Sequence, residues 1–167
     1  PVTVEKLTPS KEHFVMDLTA DYNTQVQSAN VAVAEGINGM GEFTVTYTNK
    51  KTGETTNAPV NAGDYQVKVS IEEGESYQAG EVILGTVFTI KRVKPTVDVS
   101  NIILTGESGN NLSTVTAPTL ANGTTRWKNG NIKLEGLGEK EYDAIFTPTD
   151  IDNYERIDVK IKVNIKD

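Results

Sequence analysis

The chain has no cysteine, which excludes a disulfide framework and any thiolate metal site. That absence assigns no compartment, because sandwich domains fold without disulfides and many bacterial surface modules carry none. Histidine occurs once, at His13. A His-centred triad needs a nucleophile and an orienting acid around the ring. His13 stands beside Lys11 and Glu12 at the start of a strand-like stretch and reads as a surface residue. No run of 18 apolar residues is present, so no membrane-spanning helix is expected. Basic residues form no block. Residues 1–92 hold 7 Lys+Arg against 12 Asp+Glu, and residues 93–167 hold 9 against 11. This argues against a nucleic-acid backbone as partner, and the net charge of −7 reads as solubility. No signal-peptide pattern opens the chain, and it begins at Pro1 without a methionine. The expectation is a fragment or mature form whose signal and anchoring segments lie outside it.

What the chain does have is alternation. Hydrophobic content is 37%, below the usual share, and valine, isoleucine and threonine carry much of it. In Asn61–Gln78, Tyr65, Val67, Val69 and Ile71 point one way, while Asp64, Gln66, Lys68, Ser70 and Glu72 point the other. Period-2 patterning of this kind marks a strand buried on one face. Similar strands are expected at Val2–Leu7, Phe14–Leu18, Val31–Val33, Phe43–Thr48 and Val82–Ile90. Beyond Arg92–Pro95 they recur at Asn101–Leu104, Leu112–Thr116, Thr124–Lys128, Glu141–Thr147 and Ile157–Ile165. Gly36–Gly41 reads as a hairpin-type loop, and Asn129-Gly130 predicts pairing of 124–128 with 131–135.

Tyr65 and Tyr77 stand twelve residues apart, as do Tyr142 and Tyr154, and the two pairs are offset by 77. The spacing predicts two copies of one β-module, residues 1–92 and 93–167, each large enough for a modest core. The expected fold is all-β: two tandem Ig-like β-sandwich domains of about seven strands each. The short Arg92–Pro95 link should hold them semi-rigidly end to end.

The motif Asn61-Ala62-Gly63-Asp64-Tyr65-Gln66-Val67, with Ser76-Tyr77 and the closing Phe88-Thr89-Ile90, resembles the MBG-type bacterial Ig-like repeats. That family carries "AGTY-V", then "NY", then a terminal "FTI". Asp21-Tyr22-Asn23 and Val45-Thr46-Tyr47 also fit. The second half resembles a sister repeat through Thr125-Arg126-Trp127 and Phe146-Thr147-Pro148-Thr149-Asp150 with Asn153-Tyr154. Glu139-Lys140-Glu141-Tyr142 departs from the family's Ala-Gly-Thr-Tyr, and Ser76 stands where asparagine is usual. The resemblance implies tandem, non-catalytic modules of a secreted or cell-surface bacterial protein, without a cofactor. Their partners would be neighbouring repeats of the same chain, with a surface glycan or host protein as a further possibility. The fragment itself should be monomeric.

Candidate sites are few. Asp150, Asp152 and Asn153 offer hard oxygens at i, i+2 and i+3, a weak calcium pattern without an EF-hand's glycine and distal glutamate. The plainer reading is a solvated Asx turn. Glu72-Glu73-Gly74-Glu75 reads the same way. Acids scattered over strand exteriors and turns give no glycosidase pair. Of the eleven aromatics, Tyr65 and Tyr142 are expected to mark sandwich corners by bonding backbone, with Tyr77 and Tyr154 capping the next loop. Trp127 or Tyr22, if exposed, would offer a carbohydrate-stacking surface. Two functions compete: a structural spacer or adhesin stalk, and a direct glycan- or host-protein-binding module, for which Gly106–Asn111 and Gly36–Gly41 are the loops of interest. An accessory domain of a polysaccharide-degrading enzyme is a third.

Overall fold

A computed structural model describes residues 5–167; the first part of the strand expected at Val2–Leu7 lies outside it. The chain is all-β and divides into two compact units, one ending at Arg92 and the other spanning Val93–Asp167.

The first unit contains β1 (Phe14–Val15), β2 (Thr19–Asp21), β3 (Ala32–Val33), β4 (Phe43–Asn49), β5 (Thr55–Thr56), β6 (Gly63–Ile71) and β7 (Gly80–Lys91). Five of these form a sheet in the order β2-β7-β6-β4-β5. The apolar parity read from the sequence is its buried face. Tyr65, Val67, Val69, Ile71, Val82, Leu84, Phe88 and Ile90 are all at most 8% exposed. Each such aliphatic or aromatic side chain withdrawn from water is worth ~1.5–3 kcal/mol. Two residues of β7, Gly85 and Thr86, bulge out between Leu84 and Val87, since Val67 faces Leu84 while Gln66 faces Val87. A two-residue bulge preserves parity, so the apolar face continues across it.

The opposite layer is a ribbon in which β1 pairs with β3, extended by Asp17 N–H donating to the Ala29 carbonyl at 2.7 Å. The Tyr47 hydroxyl anchors it by accepting the buried Ala29 N–H at 3.0 Å. The stretch expected as one strand over Phe14–Leu18 is therefore divided between layers. Phe14 is buried in the ribbon, Leu18 is exposed, and Thr19 has joined the sheet. Alternation fails there because the chain crosses between layers. Nor do the strands flanking Gly36–Gly41 pair, as a hairpin would require; β3 belongs to the ribbon and β4 to the sheet.

The second unit has five strands rather than about seven: β8 (Ile103–Glu107), β9 (Thr119–Leu120), β10 (Gly123–Trp127), β11 (Gly138–Pro148) and β12 (Ile157–Lys166). They form one sheet, β8-β12-β11-β10-β9. Leu112–Thr114 is a 3-10 turn, not a strand. The hairpin across Asn129-Gly130 does not form. Asn129 Oδ1 instead accepts the Asn131 N–H, and the segment crosses to the covering layer. There Leu112 N–H donates to Ile132 O at 2.7 Å and Leu134 N–H to Asn110 O at 2.8 Å. Burying Leu134 with Leu112, Val115, Val163 and Ile165 outweighs the local turn preference.

The same pairing recurs in both sheets. The first sheet strand runs parallel to the last: Thr19, Ala20 and Asp21 face Thr89, Ile90 and Lys91, and Thr105, Gly106 and Glu107 face Asn164, Ile165 and Lys166. The next strand inward is antiparallel, with Gly63 opposite Ile90 and Gly138 opposite Ile165. Upstream, Leu7 N–H donates to Ser76 O and Leu7 O accepts from Gln78; Val93 does the same with Asn153 and Glu155. Tyr77 and Tyr154 thus hold matching positions. Tyr65 and Tyr142 do not: Tyr142 faces Ile161, the place Val67 holds against Leu84. A constant offset of 77 fails because shifts by two residues leave alternation intact and so escape a parity argument. The fifth strand also differs, β5 following its neighbour in the chain and β9 preceding it.

Candidate functional site

A concavity lies in the second unit, where Phe146 and Pro148 end β11. It has a volume of about 730 Å³. Pro95 and Val97 wall one side, Ala121 and Asn122 the turn between β9 and β10, and Thr149, Asp150 and Tyr154 the loop after β11. Gly123 is needed beside it, since a Cβ there would overlap the Thr147 carbonyl and the Phe146 ring. The missing side chain lets that ring lie over the β10 backbone. Phe146 is 2% exposed, so it forms the floor.

Two carboxylates stand at the rim. Asp98 accepts the Ser100 hydroxyl at 2.6 Å and its N–H at 2.9 Å. These bonds, the hydroxyl foremost, hold its carboxyl below the usual aspartate range, so it is ionised at neutral pH. Asp150 accepts the Asn153 side-chain amide on both oxygens, at 3.0 and 3.3 Å, and its carbonyl accepts the Tyr154 N–H at 3.0 Å. The amide's donor side faces the carboxylate and Asn153 is only 7% exposed, so this is a turn clasp. Asp152 points to solvent. Among the described residues, no three His, Cys, Asp or Glu side chains gather as a metal site.

The other sequence candidates are structural. The Trp127 indole N–H donates to the Val115 carbonyl at 2.6 Å, and its half-buried ring packs on the core. Tyr22 is likewise partly buried against the first core. The Tyr65 hydroxyl donates to the Asn61 carbonyl at 2.6 Å, the corner bond anticipated for it. Burial pushes the Tyr65 phenol above the ordinary tyrosine range. The Ser10 N–H donates to His13 Nδ1 at 2.9 Å, and the ring meets Tyr77 edge-on at 5.0 Å.

Of the two glycine loops, Gly36–Gly41 is packed against a neighbouring turn, whereas Gly106–Asn111 is buried only at Gly106 and exposed over residues 107–111. Gly106 lies within β8, where a Cβ would meet Leu134, Val115 and Val163. Gly36–Gly41 interlocks with the acidic turn. Ser76 N–H donates to Gly39 O at 3.0 Å and Glu72 N–H to Glu42 O at 2.8 Å. A Cβ at Gly74 would overlap Gly39 O, Gly41 N and Met40 C. The sequence shows both glycine clusters but not that they meet, because the contact is long-range and backbone to backbone. No sequence motif marks the cavity, whose walls come from separated segments of the chain.

Comparison with protein-family models, with curated proteins and with solved structures finds no match.

Proposed function

We propose that the chain is a tandem pair of Ig-like sandwich modules, copies of one unit, that serves as a tension-bearing spacer in an extracellular protein of the bacterial surface. One observation carries the mechanical part. In each unit the first and last sheet strands are hydrogen-bonded neighbours and run parallel, β2 with β7 and β8 with β12. Tension applied through the two ends of a unit pulls such strands in opposite directions along their length. Their hydrogen bonds are then sheared together rather than peeled one at a time, the arrangement most resistant to force. Only Arg92 separates Lys91, the end of β7, from Val93, the first bridged residue of the second unit, so little slack chain lengthens under load. The surface location rests on the motifs that resemble MBG-type repeats, and the repeat reading on those motifs together with the matched pairing.

Direct glycan recognition by Trp127 loses its basis, since the indole N–H is bonded and the ring packed. Pulling single molecules by their termini tests the proposal. The expected trace has two separate rupture peaks, one per unit. A chain that lengthens smoothly at low force overturns the spacer reading.

A further inference from the structure

Three Asn-Gly pairs stand in the chain, Asn38-Gly39, Asn122-Gly123 and Asn129-Gly130, and all three asparagines are exposed. Glycine after asparagine leaves its main-chain nitrogen open to the asparagine side chain, because no Cβ screens it. The fold treats the three pairs differently. Gly123 is buried and paired in the sheet with both Leu120 and Pro148, and the Asn122 carbonyl accepts the Thr149 N–H at 2.8 Å. Gly39 is enclosed by the acidic turn: its carbonyl accepts the Ser76 N–H, and a Cβ on it would overlap the Ser76 side chain. Gly130 lies outside the strands, and its N–H donates to no group among the described residues. A Cβ there would come no closer than 3.1 Å to a neighbour, Ser113. The Asn129 side chain is already turned onto this backbone, with Oδ1 accepting the Asn131 N–H at 3.1 Å. That bond holds Cγ beside the Gly130 nitrogen and places a donor where negative charge would develop on attack at Cγ.

We infer that Asn129 is a site of self-modification, converting through a cyclic imide to aspartate and isoaspartate and so loosening the layer that covers the second unit's core. The Gly130 nitrogen attacks Cγ and the new N–Cγ bond forms. The Cγ–Nδ2 bond breaks, and ammonia leaves with the proton that Gly130 gives up. Water then opens the ring: at Cγ it yields aspartate, at the main-chain carbonyl isoaspartate. Water is the only co-reactant. The two products differ in consequence. Aspartate keeps the Oδ1 acceptor and the length of the chain. Isoaspartate routes the main chain through Cβ and Cγ, which adds a methylene and displaces the acceptor for Asn131. The added atom falls between two pinned residues. Lys128 N–H donates to the Asp143 carbonyl at 3.0 Å, and the Gly130 carbonyl accepts the Ser113 N–H at 2.9 Å. Just beyond lie Ile132, whose carbonyl accepts the Leu112 N–H at 2.7 Å, and the fully buried Leu134. The inference goes beyond the spacer reading and does not depend on it.

Ageing the full chain in warm neutral buffer and mapping its peptides by mass spectrometry is the test, with isoaspartate identified by enzymatic methylation. Conversion at Asn129 should outrun that at Asn122 at least ~10-fold, since one ladder hydrogen bond broken before attack costs about that factor in rate. It should also outrun Asn38. In the urea-unfolded chain the three rates should converge. Asn129→Gln, whose longer side chain closes a larger ring far more slowly, should keep its amide. The Trp127 unfolding transition of the aged chain should move to lower denaturant in proportion to its isoaspartate content, while Asn129→Asp should unfold like the parent. An intact Asn129 after ageing overturns the inference, as does conversion of Asn38 or Asn122 at the same rate. A ranking that persists in urea overturns the claim that the fold selects the site. An isoaspartate-rich chain with an unchanged Trp127 transition overturns the loosening.

Discussion

Substituting Gly74 by alanine tests the interlock between the acidic turn and the glycine loop. The added Cβ would overlap three backbone atoms, Gly39 O, Gly41 N and Met40 C, none of which can swing aside as a side chain could. The loops must separate. Separation breaks the Ser76–Gly39 and Glu72–Glu42 hydrogen bonds, each worth ~1 kcal/mol net. Overpacking strain adds ~1–3 kcal/mol. The expected loss is about 3–5 kcal/mol, a large share of the roughly 5–10 kcal/mol typical of a domain this size. Chemical denaturation separates the units, because the sole tryptophan, Trp127, reports on the second alone. Gly74→Ala should move the first unit's circular-dichroism transition to lower denaturant and leave the Trp127 transition in place. Gly80→Ala, whose Cβ meets nothing within 4 Å, is the control and should be near neutral. A Gly74→Ala loss under ~0.5 kcal/mol refutes the close-approach argument. An equal shift in the Trp127 signal refutes the independence of the units.

Other consequences follow from the same geometry. Deleting both Gly85 and Thr86 should leave a folded first unit with the unbulged pairing of β11 and β12, whereas deleting one should reverse Val82 and Leu84 to solvent and cost about 4 kcal/mol or more; thermal melts distinguish the two. Tyr65→Phe should cost ~1 kcal/mol through loss of the Asn61 bond. Because burial raises the Tyr65 pKa, the neutral phenol stabilises the fold below the unfolded value of ~10, and that contribution is lost as pH rises through the folded value. The Phe variant should lack this alkaline drop in a pH series of melts. Asp143, held below its usual range by the Lys160 ammonium opposite it, lies on an exposed face. Asp143→Asn should leave the melting temperature nearly unchanged at physiological salt.

Much of the fold was legible in the sequence where one face of a strand is buried. β4, β6, β7, β11 and β12 follow their alternation because moving Val67, Phe88 or Ile161 to solvent is expensive. Parity says nothing about shifts of two, so the bulge at Gly85–Thr86 and the true partner of Tyr142 were hidden. Local turn chemistry failed at Asn129-Gly130 because Leu134 is needed across the layer. The Phe14–Leu18 stretch misled for a related reason: one apolar segment serves two layers. Asp150, Asp152 and Asn153 stand out together in the sequence, but that the Asn153 amide clasps the Asp150 carboxylate depends on side-chain orientation. The cavity is assembled from segments far apart in the chain, around Pro95, Ala121 and Thr149, which no motif records.

If tension crosses each unit through its parallel strand pair, a disulfide placed across one pair should intercept it. The chain has no cysteine of its own, and Ile103 and Lys162 face each other across β8 and β12. In the Ile103→Cys, Lys162→Cys variant, pulled by its termini, the oxidised form should lose the second unit's rupture peak. About 210 Å of released length should vanish with it, at ~3.6 Å per residue for the chain between the two positions. Reduction should restore both the peak and the length. If the oxidised chain still shows two full rupture peaks of unchanged length, the force does not pass through β8 and β12, and the account of these modules as tension-bearing spacers is wrong.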